Sequence, residues 1–154
     1  MEEIDDQFVV TSVDDSTAVL KAVGSGGVFT LTSHPELEPR EVVVGTVTPE
    51  PPLEVSWQLE SVEERYSIDF ERSPESPTTH ARELAADRPT GDLQREERAG
   101  TGEIHVLTIS PERTEQAVDD VLEDEATLVR AAKLGVKRVE VRSEPGLVCV
   151  RYLP

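Results

Sequence analysis

Cysteine occurs once in the 154 residues, at Cys149, and that scarcity excludes an internal disulfide and any multi-thiolate metal centre. The residue reads as a small hydrophobe in a late strand. Histidine is nearly as scarce. His34 precedes a proline in a loop, His80 sits near a helix start and His105 lies in a strand, and neither a GxSxG elbow nor a cysteine signature accompanies them. A nucleophile, an activating base and an orienting partner therefore do not assemble from the sequence. Apolar runs are short, none approaching the roughly 18 residues of a membrane span. The acidic start Met1-Glu2-Glu3-Ile4-Asp5-Asp6 is the opposite of a basic signal peptide. The expectation is a cytoplasmic protein with no membrane association. Aromatic residues make up only 4% of the chain, which implies modest cores built from Val, Leu and Ala. Lysine is confined to Lys21, Lys133 and Lys137.

Acid is what the chain has in quantity: 32 Asp and Glu against 15 Lys and Arg, a net charge of −17. Many carboxylates with arginine preferred to lysine describe a surface kept hydrated in concentrated salt. A helix expected over Glu112 to Leu134 carries Asp119 with Glu123 and Asp120 with Asp124. Like charges at that spacing cost about 0.2–0.5 kcal/mol per pair in dilute buffer. At molar ionic strength the Debye length falls to about 3 Å and most such repulsion is screened. The composition thus predicts a protein that needs salt to fold well, as in the cytosol of a halophilic archaeon.

The expected fold class is α+β. Residues 1–72 read as a small antiparallel β-barrel of SH3-like or OB-like type, 73–79 as a linker, and 80–154 as an α/β sandwich of order α-β-α-β-β. The charge balance shifts at that boundary, with 16 acids and 4 bases in residues 1–72 and 16 acids and 11 bases in residues 73–154. In the first half, Phe8–Val13, Thr17–Val23, Val28–Thr32 and Glu41–Thr48 are β-branched runs separated by turn-prone residues. Val55, Trp57 and Leu59 alternate, as do Tyr66, Ile68 and Phe70, suggesting two more strands. In the second half Thr79–Asp87 has helical composition, and Asp92–Ala99 reads as a charged helix. A strand over Glu103–Ser110 follows. Ser110 and Pro111 mark the start of the 112–134 helix, and Gly135 marks its end. A hairpin of Val136–Arg142 and Leu147–Leu153 turns at Ser143-Glu144-Pro145-Gly146. One amphipathic helix packed on three strands is the expected arrangement.

Two glycine clusters fail as phosphate cradles. Gly24-Ser25-Gly26-Gly27 lacks the following Lys-Ser/Thr, and Gly100-Thr101-Gly102 feeds a strand rather than a helix, so both read as turns. Glu103 and His105 share one strand face and form a weak candidate pair of metal ligands, too few for an ordinary zinc site. No metal or other cofactor is expected.

The remaining constellation is cationic. Arg138 and Arg142 alternate with Val139 and Val141, so the charged set shares one face with Glu140 while the valines face a helix. Lys137 and Arg151 flank it, and Arg82, Arg88, Arg95 and Arg98 lie in the preceding segment. Such an island could hold RNA phosphates through bidentate guanidinium contacts. The competing and stronger reading pairs these arginines with nearby acids such as Glu97 or Glu140. Aromatics that could stack bases are few, namely Trp57, Tyr66, Tyr152, Phe8, Phe29 and Phe70, and alternation assigns most to cores.

The segments LEPREVVVGTVTPEPPLEVSWQLESVEER, RAGTGEIHVLTI and RAAKLGVKRVEVRSEPGLVCVRYLP give the chain a resemblance to an uncharacterised protein family of halophilic archaea. That resemblance supports the habitat and implies no activity. The reading that emerges is a non-catalytic binding or adaptor protein whose partner is RNA, a ribonucleoprotein or another protein, without a DNA-binding motif. The named binding residues are Lys137, Arg138, Arg142 and Arg151. The alternative is a metal-dependent hydrolase using His105 with Glu103.

Overall fold

Short runs of valine, leucine and phenylalanine with period-two alternation cannot bury one face alone, and the chain solves this by closing a sheet on itself. The computed structural model describes residues 3–51, 56–98 and 100–154, and the chain separates into two compact units, 1–68 and 69–154. In the first unit β1 (Ile4–Val13), β2 (Ala18–Ala22), β3 (Val28–Leu31), β4 (Glu41–Pro49) and β5 (Trp57–Ser67) form a closed barrel of order β1-β2-β3-β5-β4. All pairings are antiparallel except β3 with β5, where Leu31 meets Trp57 in the parallel sense. The interior is filled by Phe8, Val10, Leu20, Phe29, Leu31 and Val43, with Trp57 packed against it. Phe29 meets Phe8 edge-on at 5.7 Å and Trp57 at 4.7 Å, the edge-to-face geometry that aromatic quadrupoles favour.

The barrel has five strands where the sequence suggested six. The polar run from Glu60 to Arg65, between the two expected alternating runs, continues as β5. Register shifts beside Gly45 and Val47 break the alternation there and leave both faces wet. Val55, expected in a strand, lies outside the described residues.

Beyond Ile68 the chain joins a different sheet. β6 (Asp69–Arg72) runs parallel to β9 (Arg138–Glu144), so the residues expected to end the barrel half belong to the second unit. Residues 73–78 then lead directly into α1 (Thr79–Ala85), whose first turn is capped by Thr78. With β7 (Leu93–Glu97), β8 (Glu103–Thr108) and β10 (Leu147–Leu153) the sheet has five strands in the order β6-β9-β10-β8-β7. The segment Asp92–Ala99, expected as a charged helix, is the edge strand β7 over its residues 93–97, while Ala99 lies outside the described residues. Leu93, Arg95 and Glu97 alternate with Gln94 and Glu96, and an edge strand tolerates such charge because one side faces water.

The expected 112–134 helix is also divided. A 3-10 turn (Pro111–Arg113) leads into α2 (Thr114–Leu122), and α3 (Glu125–Leu134) follows after Glu123 and Asp124. Asp124 turns extended and accepts hydrogen bonds from the Ala126 and Thr127 amides, so it caps a new helix. The repulsive pairs expected within one helix are therefore split across a break. Gly135 ends α3 in the left-handed region at φ +72°.

Register assigns the layers. Ile104, Val106, Leu147 and Cys149 share one face and receive Ala81, Leu84 and Ala85 of α1. His105, Val139, Val141, Val150 and Tyr152 share the other, against which α2 packs and which α3 reaches through Arg130 on Glu103. The unit has three layers, rather than one helix on three strands. No helix among the described residues is long and apolar enough to cross a membrane.

Candidate functional site

On the α1 side of the second sheet, alternation in β9 and β10 brings Arg138, Glu140, Arg142 and Arg151 together as the sequence suggested. Glu140 is the centre. It is only 6% exposed and accepts from Arg142 Nε and Arg151 Nη1 at 2.7 Å each, with Arg138 Nη2 at 3.5 Å. Arg138 also reaches Glu71 at 3.3 Å and Arg142 reaches Glu75 at 2.8 Å. Burial raises the Glu140 carboxyl, but the hydrogen bonds and charges of Arg142 and Arg151 outweigh it and hold the group below its ordinary value. Three guanidinium groups meet three carboxylates, so this face is a neutral ionic cluster rather than a positive island. Lys137 stands exposed just before β9, its amide donating to Leu153 O at 3.2 Å. Of the other arginines, Arg82 forks onto Glu144 at 2.8 Å, Arg88 lies 4.0 Å from Asp92, and Arg98 donates to Thr101 O.

The opposite face is different. Between the sheet and the α2–α3 break is a cleft of about 420 Å³, floored by Leu107, Val148 and Val150 and walled by Val121 and Ala126. Ligand sites typically lie in the range of about 300–1,000 Å³, with apolar walls and a few convergent polar groups. Here the polar groups are Arg95, His105, Asp124, Thr127, Arg130 and Tyr152. The break in the helix builds one wall, because Asp124 and Thr127 sit where α3 begins.

His105 is buried with its ring 4.7 Å from that of Tyr152, and its Nε2 lies 2.8 Å from Glu103 Oε1. Arg130 holds the same carboxylate with both Nε, at 3.1 Å, and Nη2. That hydrogen bonding lowers the Glu103 carboxyl, against burial and with help from His105. Burial in turn lowers His105, opposed by its bond to Glu103. A neutral imidazole facing a carboxylate must donate through Nε2, which leaves Nδ1 as its acceptor. Glu103 and His105 thus do share a face, but they bond each other and Arg130 takes the remaining carboxylate oxygen. Among the described residues no group of three or more His, Cys, Asp or Glu gathers.

Arg95 differs from the other arginine lining the cleft, Arg130. It projects from the edge strand on the cleft side, exposed, with neither a hydrogen bond nor an ion pair among the described residues. Nothing in the residue pattern set Arg95 apart, because its segment read as a helix. The signal was present in the Leu93, Arg95, Glu97 alternation. Arg130 carried no local signal, since only the packing of α3 on β8 brings it to Glu103.

Cys149 is buried on the α1 side, where burial raises its thiol to about 11, so it stays protonated and unreactive.

The buried acids set a pH dependence. Glu41 in the barrel resembles the other two: burial raises it, but hydrogen bonds from Arg65 and the Glu38 amide bring it below 4.5. Glu41, Glu103 and Glu140 each stabilise the fold above their ordinary value of 4.5 and lose that contribution as pH falls through the lower folded value. His105 lies below 6.5 when folded, so the unfolded chain takes up its proton first and stability starts to fall below pH 6.5. Urea unfolding at fixed KCl is expected to give a plateau above pH 7 and a decline in two stages. The variant H105Q should abolish the upper stage and keep the lower one.

Residues 4–143 match the model of a family of unknown function, DUF5812. The chain belongs to that family. The DUF5812 span covers most of both units and includes Arg95, Glu103, His105 and Arg130, while Val148, Val150 and Tyr152 lie beyond it. No curated protein and no solved structure matches the chain.

Proposed function

We propose that this DUF5812 chain is a non-catalytic binding protein that works in concentrated salt, in the cytoplasm of a halophilic archaeon, and holds a small ligand in the cleft of its second unit. The observation that carries the reading is Arg95. In a molecule with 32 acids and 15 bases, an arginine beside an apolar cleft has no carboxylate of its own. A site that keeps a cation unmatched amid so much acid is suited to an incoming partner. The test is amide chemical-shift mapping in KCl with a panel of small organic molecules. Binding should shift Leu107, Val148 and Val150 together, and a panel that shifts none of them would overturn the reading.

RNA, one of the partners the sequence allowed, is less favoured. The strand order β1-β2-β3-β5-β4 with its parallel β3–β5 closure is OB-like, and such barrels bind oligonucleotides. Fold analogy alone is a weak warrant. The barrel unit, residues 1–68, holds 14 acids and 3 bases, its β1–β2 turn is Asp14-Asp15-Ser16, and Arg138, Arg142 and Arg151 are already taken by acids. Phosphates would meet repulsion on the barrel and competition on the arginine face.

A second reading has one observation in its favour. His105 is oriented by Glu103 and has an acceptor nitrogen left over, which is how a general base is held. A metal-dependent hydrolase would need Glu103 as a ligand, and Arg130 would first have to be displaced. Release of product from activated esters, abolished by H105Q, would favour that reading over binding alone.

Salt adaptation has its own test. Screening a net charge of −17 should add a few kcal/mol, and the melting midpoint should rise by roughly 10 °C between about 0.1 M and about 2 M KCl. Equal midpoints at the two concentrations would remove the habitat from the proposal.

A further inference from the structure

Resting on the cleft reading, we infer that the ligand is an amphiphile with one carboxylate head and an unbranched apolar body, the head taken by Arg95 and the body laid over Leu107, Val148 and Val150. The charges facing the cleft determine the head. Arg130 is answered by Glu103, and the buried His105 ring, kept neutral by its burial, donates to that same carboxylate. Asp124, the one acid lining the cleft among the described residues, accepts from the amides of Ala126 and Thr127 and from the Thr127 hydroxyl at 2.8 Å, which places its charge against the first turn of α3. Of the two arginines lining the cleft, Arg95 therefore remains without a counter-charge from the described residues, and one negative charge answers it. A guanidinium presents paired N–H groups in a planar fork that fits a carboxylate, so the recognition is geometric as well as ionic.

The floor determines the body. Leu107, Val148 and Val150 come from the adjacent strands β8 and β10 and form a flat apolar strip. Leu93, one of the few large hydrophobic side chains left exposed at 43%, extends that strip along β7 on the same side as Arg95. An extended alkyl chain lies along such a strip without having to fill a closed hole. In concentrated salt the arginine acts at contact range only, because the screening length is about 3 Å at 1 M. The apolar strip then carries most of the affinity and Arg95 the selectivity.

The experiment uses the whole chain in KCl and follows amide shifts with octanoate, octanol and octyltrimethylammonium as probes. The expected result is octanoate bound at Leu107, Val148 and Val150 about tenfold more tightly than octanol, with the cation excluded. R95Q is expected to lower octanoate affinity about tenfold and leave octanol unchanged, and R113Q, an exposed arginine outside the cleft, to change neither. Arg95 has no folded-state partner among the described residues, so R95Q keeps the fold. If octanoate and octanol bind the cleft equally and R95Q has no effect, the carboxylate assignment fails and the cleft remains a ligand site. If no probe moves those residues, the proposed function fails with it. Shifts that follow protein concentration instead of probe would place a second copy there and overturn the inference.

Discussion

Replacing Glu140 by glutamine is expected to cost about 3 kcal/mol of unfolding free energy, because removing one member of a buried ion cluster leaves its partners desolvated and unpaired. The side chain of Glu140 is almost fully enclosed, and Arg142 and Arg151 keep only 15% and 21% of their side-chain surface in water. Glutamine has the right shape but no charge, and its amide nitrogen would offer a donor to groups that only donate. The figure sits at the low end of the range for buried pairs because Arg138, at 47% exposure, can turn outward. R138Q should accordingly cost under about 1 kcal/mol, in the range of exposed pairs. Urea unfolding at constant KCl measures both. The two salt responses should also separate: added KCl stabilises the whole acidic molecule but does little to rescue E140Q, since buried pairs are poorly screened. An E140Q protein within about 1 kcal/mol of the parent would mean that the cluster is a surface network of no energetic weight.

The second large effect is expected at Gly102. This residue sits at φ +110°, and a Cβ there would lie 2.0 Å from the carbonyl oxygen of Tyr152. G102A therefore combines a disfavoured backbone conformation, about 1–3 kcal/mol, with a backbone overlap that costs about as much again, for a total of about 4 kcal/mol. Gly100, in the same turn at φ +95°, has open space around its Cβ position. G100A should show the conformational cost alone, about 1–2 kcal/mol. The two substitutions differ by only two positions and separate strain from collision, so equal losses would contradict the close approach. G102A also has a functional readout. Relieving the overlap pushes β10 at Tyr152, whose ring rests on His105, so the amide shifts of the cleft should move before the protein unfolds.

Much of this fold could be read directly from side-chain order. The β-branched runs gave the strands β1 to β4, the final hairpin followed from two alternating runs around Pro145-Gly146, and Gly135 marked the end of α3. What failed had a common cause. Asp92–Ala99 is charged enough to read as a helix, and only pairing with β8 makes residues 93–97 a strand. Asp124 gave no signal of a break because an aspartate inside an acidic run looks like more helix surface, until its side chain is seen to accept the Ala126 and Thr127 amides. Tyr66, Ile68 and Phe70 alternate without interruption, yet the chain changes sheets after Ile68. The site was legible to a similar degree. Alternation placed Glu103 with His105, and Arg138 with Glu140 and Arg142. The cleft could not be seen, because its parts come from β7, β8, β10, α2 and α3 and meet only through tertiary packing.

The parallel pairing of β6 with β9 ties four residues near the middle of the chain to a strand that begins at Arg138. During synthesis Asp69–Arg72 must wait for about half the polypeptide to emerge before their partner exists, a long-range closure that is slow for entropic reasons. A fragment cut where composition changes, near residue 80, would lack that strand. Its β9 would present a bare row of amides and carbonyls, and Arg138 would lose Glu71. A fragment meant to keep the whole five-stranded sheet therefore has to begin at Asp69.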